Sequence, residues 1–182
     1  MADDMVNVTS LEDVAPAMVP FRSEAPRGVD FAAVSSALGS DLPTDFKELA
    51  RRYPTLEFDG FLRVPLPRPG AESAFVDGIR RELEILRDPQ DNDMAGGYEA
   101  HPAPNGLIPW SESLSGDVFY WRVAGSDPDS WPVVVSGRND DWWEFPGGAI
   151  AFLVGLIDGS AERRGLPGDI PSRHPAVRAF PG

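Results

Sequence analysis

The chain contains no cysteine and only two histidines. The absence of cysteine excludes disulfides, thiolate nucleophiles and cysteine-ligated zinc, and it fits a reducing cytoplasm. The histidines, His101 and His174, lie in proline-flanked segments, and no nucleophile stands at a spacing that would make either one a general base. We therefore expect a cytoplasmic protein that has no catalytic histidine and requires no metal.

Long apolar runs are also missing. The longest nearly continuous one, residues 149–157, spans nine positions, whereas a helix needs about 20 apolar residues to cross a bilayer. The first residues, MADDMVNVTS, are acidic and lack the basic and apolar regions of a secretory signal. The sequence predicts neither export by that route nor membrane insertion, and it places residues 149–157 in a buried helix.

Positive charge is scarce. Lys and Arg total 16 against 29 Asp and Glu, which gives a formal net charge of −13. Nucleic-acid backbones and anionic lipids are bound largely through Lys and Arg, so we expect no nucleic acid and no membrane as partners. A basic protein surface would be attracted to such a chain.

Catalytic and cofactor motifs are lacking as well. No glycine run matches a phosphate-binding loop or a dinucleotide fingerprint. The carboxylates of Asp88, Asp91 and Asp93 invite comparison with a calcium loop, but Ala95 and Pro102 stand where ligands should follow Asp91. The sequence thus predicts no catalytic residue and no cofactor, and the protein is expected not to be an enzyme.

The patterns that are present predict an α+β fold. The length of 182 residues fits one domain. Apolar residues recur at helical spacing in residues 31–38, 43–53, 71–87 and 148–157. Strand-like composition occupies residues 56–67, 107–110, 117–123, 131–136 and 142–145, and Asp59-Gly60 can form a bend within the first of these segments. Because the separations between the later strands are short, we expect antiparallel hairpins, and hence a mainly antiparallel sheet packed against helices. The predicted core comprises Phe31, Leu38, Phe46, Leu49, Phe61, Leu83, Trp121, Val133, Val135, Phe152, Leu153 and Leu156.

The two ends of the chain look different from its middle. Residues 1–26 carry scattered apolar positions and three prolines, and residues 160–182 are again rich in proline. We expect an extended N-terminal arm over residues 1–26 that is dispensable for folding, a domain over residues 27–159, and a C-terminal tail over residues 160–182.

Acidic turns beside tryptophans are the candidate functional feature. One group lies between the predicted strands 117–123 and 131–136, and a second follows the latter strand. Turn chemistry alone explains such residues, because Asp, Asn, Gly and Pro are turn formers. The tryptophans, which lie in apolar strands beside β-branched or aromatic residues, are typical of core and strand packing. The alternative is a partner-binding surface that attracts a basic protein, with a tryptophan as its anchor. Its residues would be Asp127, Asp129, Trp131, Asp140, Asp141 and Trp142.

Two segments of the chain resemble the SUKH superfamily, also called SMI/KNR-type domains. They are GVDFAAVSSALGSDLPTDFKELARRYPTLEFDGFLRVPLP and LIPWSESLSGDVFYWRVAGSDPDSWPVVVSGRNDDWWEFPGGAIAFLVGLIDG, which lie within residues 27–159. The matching features are Leu42-Pro43, Phe46, Asp59-Gly60-Phe61-Leu62, Gly116-Asp117, Trp121, Asp127-Pro128-Asp129, Trp131 and Phe152-Leu153. A departure is Pro54, which stands where the family usually has glycine.

The resemblance implies an α+β domain without a catalytic constellation, used in bacteria as an immunity protein that binds and neutralises a polymorphic toxin. Many such toxins are nucleases with basic surfaces, which would suit the acidic charge of this chain. The superfamily also includes regulatory scaffolds, so an interaction domain unrelated to toxins is the alternative. Its partner-binding residues vary, and none is carried over to this chain.

Overall fold

The computed structural model describes residues 5–88, 95–137 and 141–181. Its helices lie largely where the apolar spacing predicts them. They are α1 (Val8–Val14), α2 (Phe31–Leu38), α3 (Thr44–Arg52), α4 (Glu72–Arg87) and α5 (Ala149–Asp158), with short 3-10 helices at Pro16–Phe21 and Pro128–Ser130. The Asp30 side chain caps α2 by accepting from the Ala33 N–H at 2.9 Å, and Gly39 ends that helix with a φ of 76°.

The strands form one antiparallel sheet, so the α+β prediction is confirmed. They are β1 (Thr55–Phe58), β2 (Leu62–Val64), β3 (Leu107–Ser113), β4 (Val118–Arg122), β5 (Val133–Ser136), β6 (Trp142–Phe145) and β7 (Val177–Phe180). Their order across the seven-stranded sheet is β6-β5-β4-β3-β2-β1-β7. Strands β1 to β6 therefore follow one another as a meander, and β7 returns to the free side of β1.

The strand-like segment over residues 56–67 forms the hairpin β1–β2, which turns at Asp59-Gly60. Asp59 and Gly60 both have positive φ, 53° and 60°, and the Phe61 N–H donates to the Phe58 carbonyl at 3.0 Å. An Asp-Gly pair suits this geometry because glycine and, to a lesser extent, aspartate tolerate the left-handed region.

The core lies between one face of the sheet and helices α3 and α5. Trp121 of β4 meets the ring of Phe46 edge-on at 4.8 Å, and Phe152 of α5 packs 5.3 Å from Phe119. Adjacent tryptophans in β6 point to opposite faces, as the strand period requires. Trp143 is buried against Phe152. The predicted core residues are buried except Phe31, which is half-buried at the periphery of the core.

The N-terminal arm is not extended, and that prediction is wrong. Helix α1 packs against α5, with Val8 and Leu11 fully covered. Behind them, the Tyr53 hydroxyl donates to the Glu12 carboxylate at 2.6 Å, and Arg22 pairs with the same carboxylate at 3.3 Å. Because a seven-residue helix is marginal by itself, its sequence carries little signal, and α5 supplies the apolar surface that holds it.

The C-terminal tail is also part of the folded domain. Strand β7 pairs with β1 along Thr55–Phe58. The Arg163 side chain donates to the carbonyls of Pro167, Ile170 and Pro171 at 2.7–2.9 Å, which organises the proline-rich stretch before β7. The expected boundaries at residues 26 and 160 therefore do not separate folded from unfolded chain.

Candidate interaction surfaces

The first acidic turn uses its carboxylates within the chain. Asp127 accepts from the Asp129 N–H at 3.1 Å, which shapes the turn. Asp129 accepts from the backbone N–H and the hydroxyl of Thr44 at 2.6 and 2.9 Å. Thr44 begins α3, so Asp129 satisfies an open N–H and places negative charge at the positive end of that helix. Both side chains are exposed, yet their hydrogen bonds are those of turn and cap chemistry.

Asp45 lies beside this turn and was not a candidate from the sequence. Its carboxylate accepts from the Phe46 N–H at 2.7 Å and from the backbone of Ile150 near the start of α5. Burial raises the pKa of Asp45, and the nearby charge of Asp129 raises it further. No sequence pattern indicated this position, because α3 and α5 meet only in the folded chain.

Trp131 is not an exposed anchor. Only 3% of the residue is accessible, and its indole N–H donates to the Gly125 carbonyl at 3.3 Å. The predicted role required an exposed ring, so that part of the partner-binding hypothesis is wrong. The physical reason is that Trp131, just before β5, packs with the hydrophobic core, and burial of a large aromatic side chain is favourable.

Trp142 is half-buried on the opposite sheet face from the core. Its ring stacks between Tyr98 and Tyr120, with centroids 5.5 and 6.0 Å away. The backbone of Gly96 passes so close that a Cβ there would lie 2.8 Å from the indole. Trp142 is therefore covered in part by the segment containing Tyr98.

The candidate acidic residues that the structure describes do not form one surface. Asp127 and Asp129 precede β5 and Asp141 follows it, so they lie at opposite ends of that strand, whose four residues span about 13 Å at 3.3 Å per residue. Asp141 is half-buried beside Gly165, while Asp140 lies outside the described residues. The prediction of a single acidic patch fails for Asp127, Asp129 and Asp141, because successive hairpins of a meander turn at opposite ends of the strands.

A groove of about 500 Å³ lies between α4 and strands β2 to β4. Its apolar lining includes Phe75, Ile79 and Ile85 of α4, with Pro109 and Val118 opposite them. Arg63 and Glu112 are cross-strand neighbours, and Glu112 pairs in register with Val118, so these side chains share one sheet face. Arg81 and Glu82 contribute charge from the helix.

Two carboxylates, those of Glu82 and Glu112, line this groove. Within residues 5–88, 95–137 and 141–181, neither Glu82 nor Glu112 forms an ion pair or a hydrogen bond through its side chain. Burial raises the pKa of Glu82, and the charge of Glu112 adds to that effect. Burial raises the pKa of Tyr120, and the charge of Glu82 adds to that effect. Sequence reasoning missed the groove because its walls are about 30 residues apart in the chain.

The histidines occupy ordinary structural positions. His101 is buried, and its Nε2 lies 3.1 Å from the Leu38 carbonyl, while Arg87 donates to the His101 carbonyl. His174 is exposed. Among the described residues, no group of three or more His, Cys, Asp or Glu side chains is placed to hold a metal ion, and no helix there is long and apolar enough to span a membrane.

Comparison with known proteins adds no relative. No protein-family model, no curated protein and no solved structure matches this chain.

Proposed function

We propose that this chain is a non-enzymatic, SUKH-like protein-binding domain of the bacterial cytoplasm, which acts as an immunity protein by binding and neutralising a polymorphic toxin. The toxin is expected to present a basic surface, as a nuclease would. The observation that carries the proposal is the excess of acidic over basic residues. The sequence has 29 Asp and Glu against 16 Lys and Arg, for a formal net charge of −13, so basic side chains are too few to pair with every carboxylate.

An excess of charge of one sign supports a role in association. It raises the encounter rate with an oppositely charged protein and disfavours partners of like charge. The α+β meander with packed helices is the architecture that the SUKH resemblance implies, and this supports the proposal at the level of fold class.

The test is rescue of growth. A candidate toxin encoded next to this chain is expressed in a bacterial host with and without the chain, and the two purified proteins are mixed in a pull-down. We expect rescue together with formation of a stable complex whose association rate falls as salt is raised. Complex formation without rescue would favour the regulatory scaffold instead. Toxicity that persists without any complex, when both proteins are folded, would contradict the proposal for that pair.

A further inference from the structure

The groove between α4 and strands β2 to β4 has the dimensions of a binding site. Its volume of about 500 Å³ falls in the range of roughly 300–1,000 Å³ that is usual for ligand pockets. The walls come from rigid elements, a 16-residue helix and a paired sheet. Such a site is preformed, so an occupant would not have to order it.

Within the described chain, the two glutamates in the groove are not paired with basic side chains. Glu82 and Glu112 face the same space from opposite walls, and the charge of Glu112 disfavours ionisation of Glu82. Arg63 lies instead over the Phe180 ring at 4.7 Å. Neither Arg63 nor Arg81 forms an ion pair with these carboxylates in the described chain. A cation placed between the two glutamates would relieve their repulsion and form charge-assisted hydrogen bonds.

The apolar part of the groove is also open. Ile85 is 56% exposed although it lines the same space as Phe75 and Ile79. Covering Ile85 would remove apolar surface from water, which favours an occupant that carries an apolar group beside its cation.

We propose that this groove binds a segment of a partner protein that presents one Lys or Arg beside an aliphatic side chain, with the cation held between Glu82 and Glu112. The inference rests on the proposed function only in taking the partner to be a protein. A second copy of the chain is a poorer occupant, because each copy carries a net charge of −13 and like charges oppose association.

The probe is a synthetic pentapeptide, acetyl-Ala-Leu-Arg-Leu-Ala-amide, titrated into the full chain and followed by NMR chemical-shift changes. A matched peptide with citrulline in place of arginine has nearly the same shape but no charge. We expect saturable shifts in α4 and β3, with the arginine peptide binding at least five-fold more tightly at low salt. Equal binding of the two peptides, or shifts confined to another surface, would overturn the proposal.

Matched variants identify the contacts. Glu82→Gln and Glu112→Gln should each weaken the arginine peptide several-fold and leave the citrulline peptide unchanged. Glu84→Gln is the control, because Glu84 is exposed on the same helix but lies outside the groove lining. Ile85→Ser should weaken both peptides, whereas Leu114→Ser, at a 73% exposed position outside the groove lining, should weaken neither. Melting curves establish that each variant is folded.

The outcomes separate the two proposals. If the Glu82→Gln/Glu112→Gln variant loses the peptide but still rescues cells from the toxin, the groove is not the toxin site and the immunity function stands. If the parent chain binds the arginine peptide but protects from no candidate toxin, the groove assignment stands and the immunity function fails. Sedimentation that shows a dimer abolished by Ile85→Ser would overturn the groove assignment in favour of a second copy.

Discussion

The first acidic turn and the groove both expose carboxylates, but the fold uses them differently. At the turn, Asp129 accepts two hydrogen bonds from Thr44 at the start of α3. In the groove, Glu82 and Glu112 face each other, and within the described ranges neither has a hydrogen bond or an ion pair through its side chain. A carboxylate whose acceptor positions are filled by its own chain gains less from a partner than one that is unpaired. The exposure of an acidic residue therefore does not by itself show whether its carboxylate stabilises the fold or binds a partner.

The largest expected effect is at the buried tryptophan of the turn. Trp131→Ala should lower the free energy of unfolding by about 3–5 kcal/mol, because it removes a buried aromatic side chain. Denaturant unfolding measures the change. Phe152→Ala in the core is the comparison variant, and it should lower the free energy of unfolding by a similar amount. If the Trp131→Ala protein is as stable as the parent, this region is a surface, and the turn and the groove do not differ in the way described.

The next effect concerns the helix cap. Asp129→Ala should cost about 1 kcal/mol, since the N–H of Thr44 loses its acceptor at the start of α3. Thermal unfolding measures the loss. Ser126→Ala, an exposed position in the same connection, is the control and should change stability little. If both variants melt alike, Asp129 would be available to a partner in the same way as the groove carboxylates.

The pH dependence of the free energy of unfolding should show the cost of burying the Asp45 carboxylate beside the turn. Its pKa is raised in the folded state, mainly by burial. The folded state therefore holds the Asp45 proton more tightly, and this contribution to stability is full below the unfolded pKa of about 3.9. It is lost as the pH rises through the raised folded pKa.

Asp45→Asn should remove that part of the slope, so the parent should gain stability relative to the variant as pH falls from 7 to 3. Urea unfolding at several pH values measures it. Asp41→Asn is the control, because the pKa of Asp41 is shifted in the opposite direction. Burial acts to raise the pKa of Asp41, but hydrogen bonds from Lys47, Leu42 and Ser35 lower it overall. A parent that gains nothing at low pH over Asp45→Asn would contradict the assignment.

The smallest expected effect lies in the groove. Glu112→Gln should lower the pKa of Glu82, because one of the two causes that raise it is removed while burial remains. Carboxyl NMR titration measures the shift, and stability near neutral pH should change by no more than about 0.5 kcal/mol. Glu84→Gln should leave the Glu82 titration nearly unchanged by comparison. An unchanged Glu82 pKa in Glu112→Gln would show that the two groove carboxylates do not interact.

The local pattern of the chain was sufficient for much of the fold. The sequence predicted a stripe of Phe75, Ile79, Leu83 and Leu86 at helical spacing. On α4, Ile79, Leu83 and Leu86 are buried and Phe75 is half-buried. Short separations between strands β3 to β6 predicted hairpins, and the sheet confirms them. Such features can be predicted from the sequence because helices and hairpins are formed by residues that are close in sequence.

The sequence by itself determined the helices α2 to α5, the antiparallel hairpins and the acidic character of the chain. Tertiary structure alone decided that α1 is held by α5, that β7 pairs with β1, and that Trp131 is buried. It also decided which carboxylates are satisfied within the chain and which meet across the groove. The reason is physical. Burial and pairing of these groups depend on surfaces that distant segments contribute, and they stabilise the protein only when those segments are in contact.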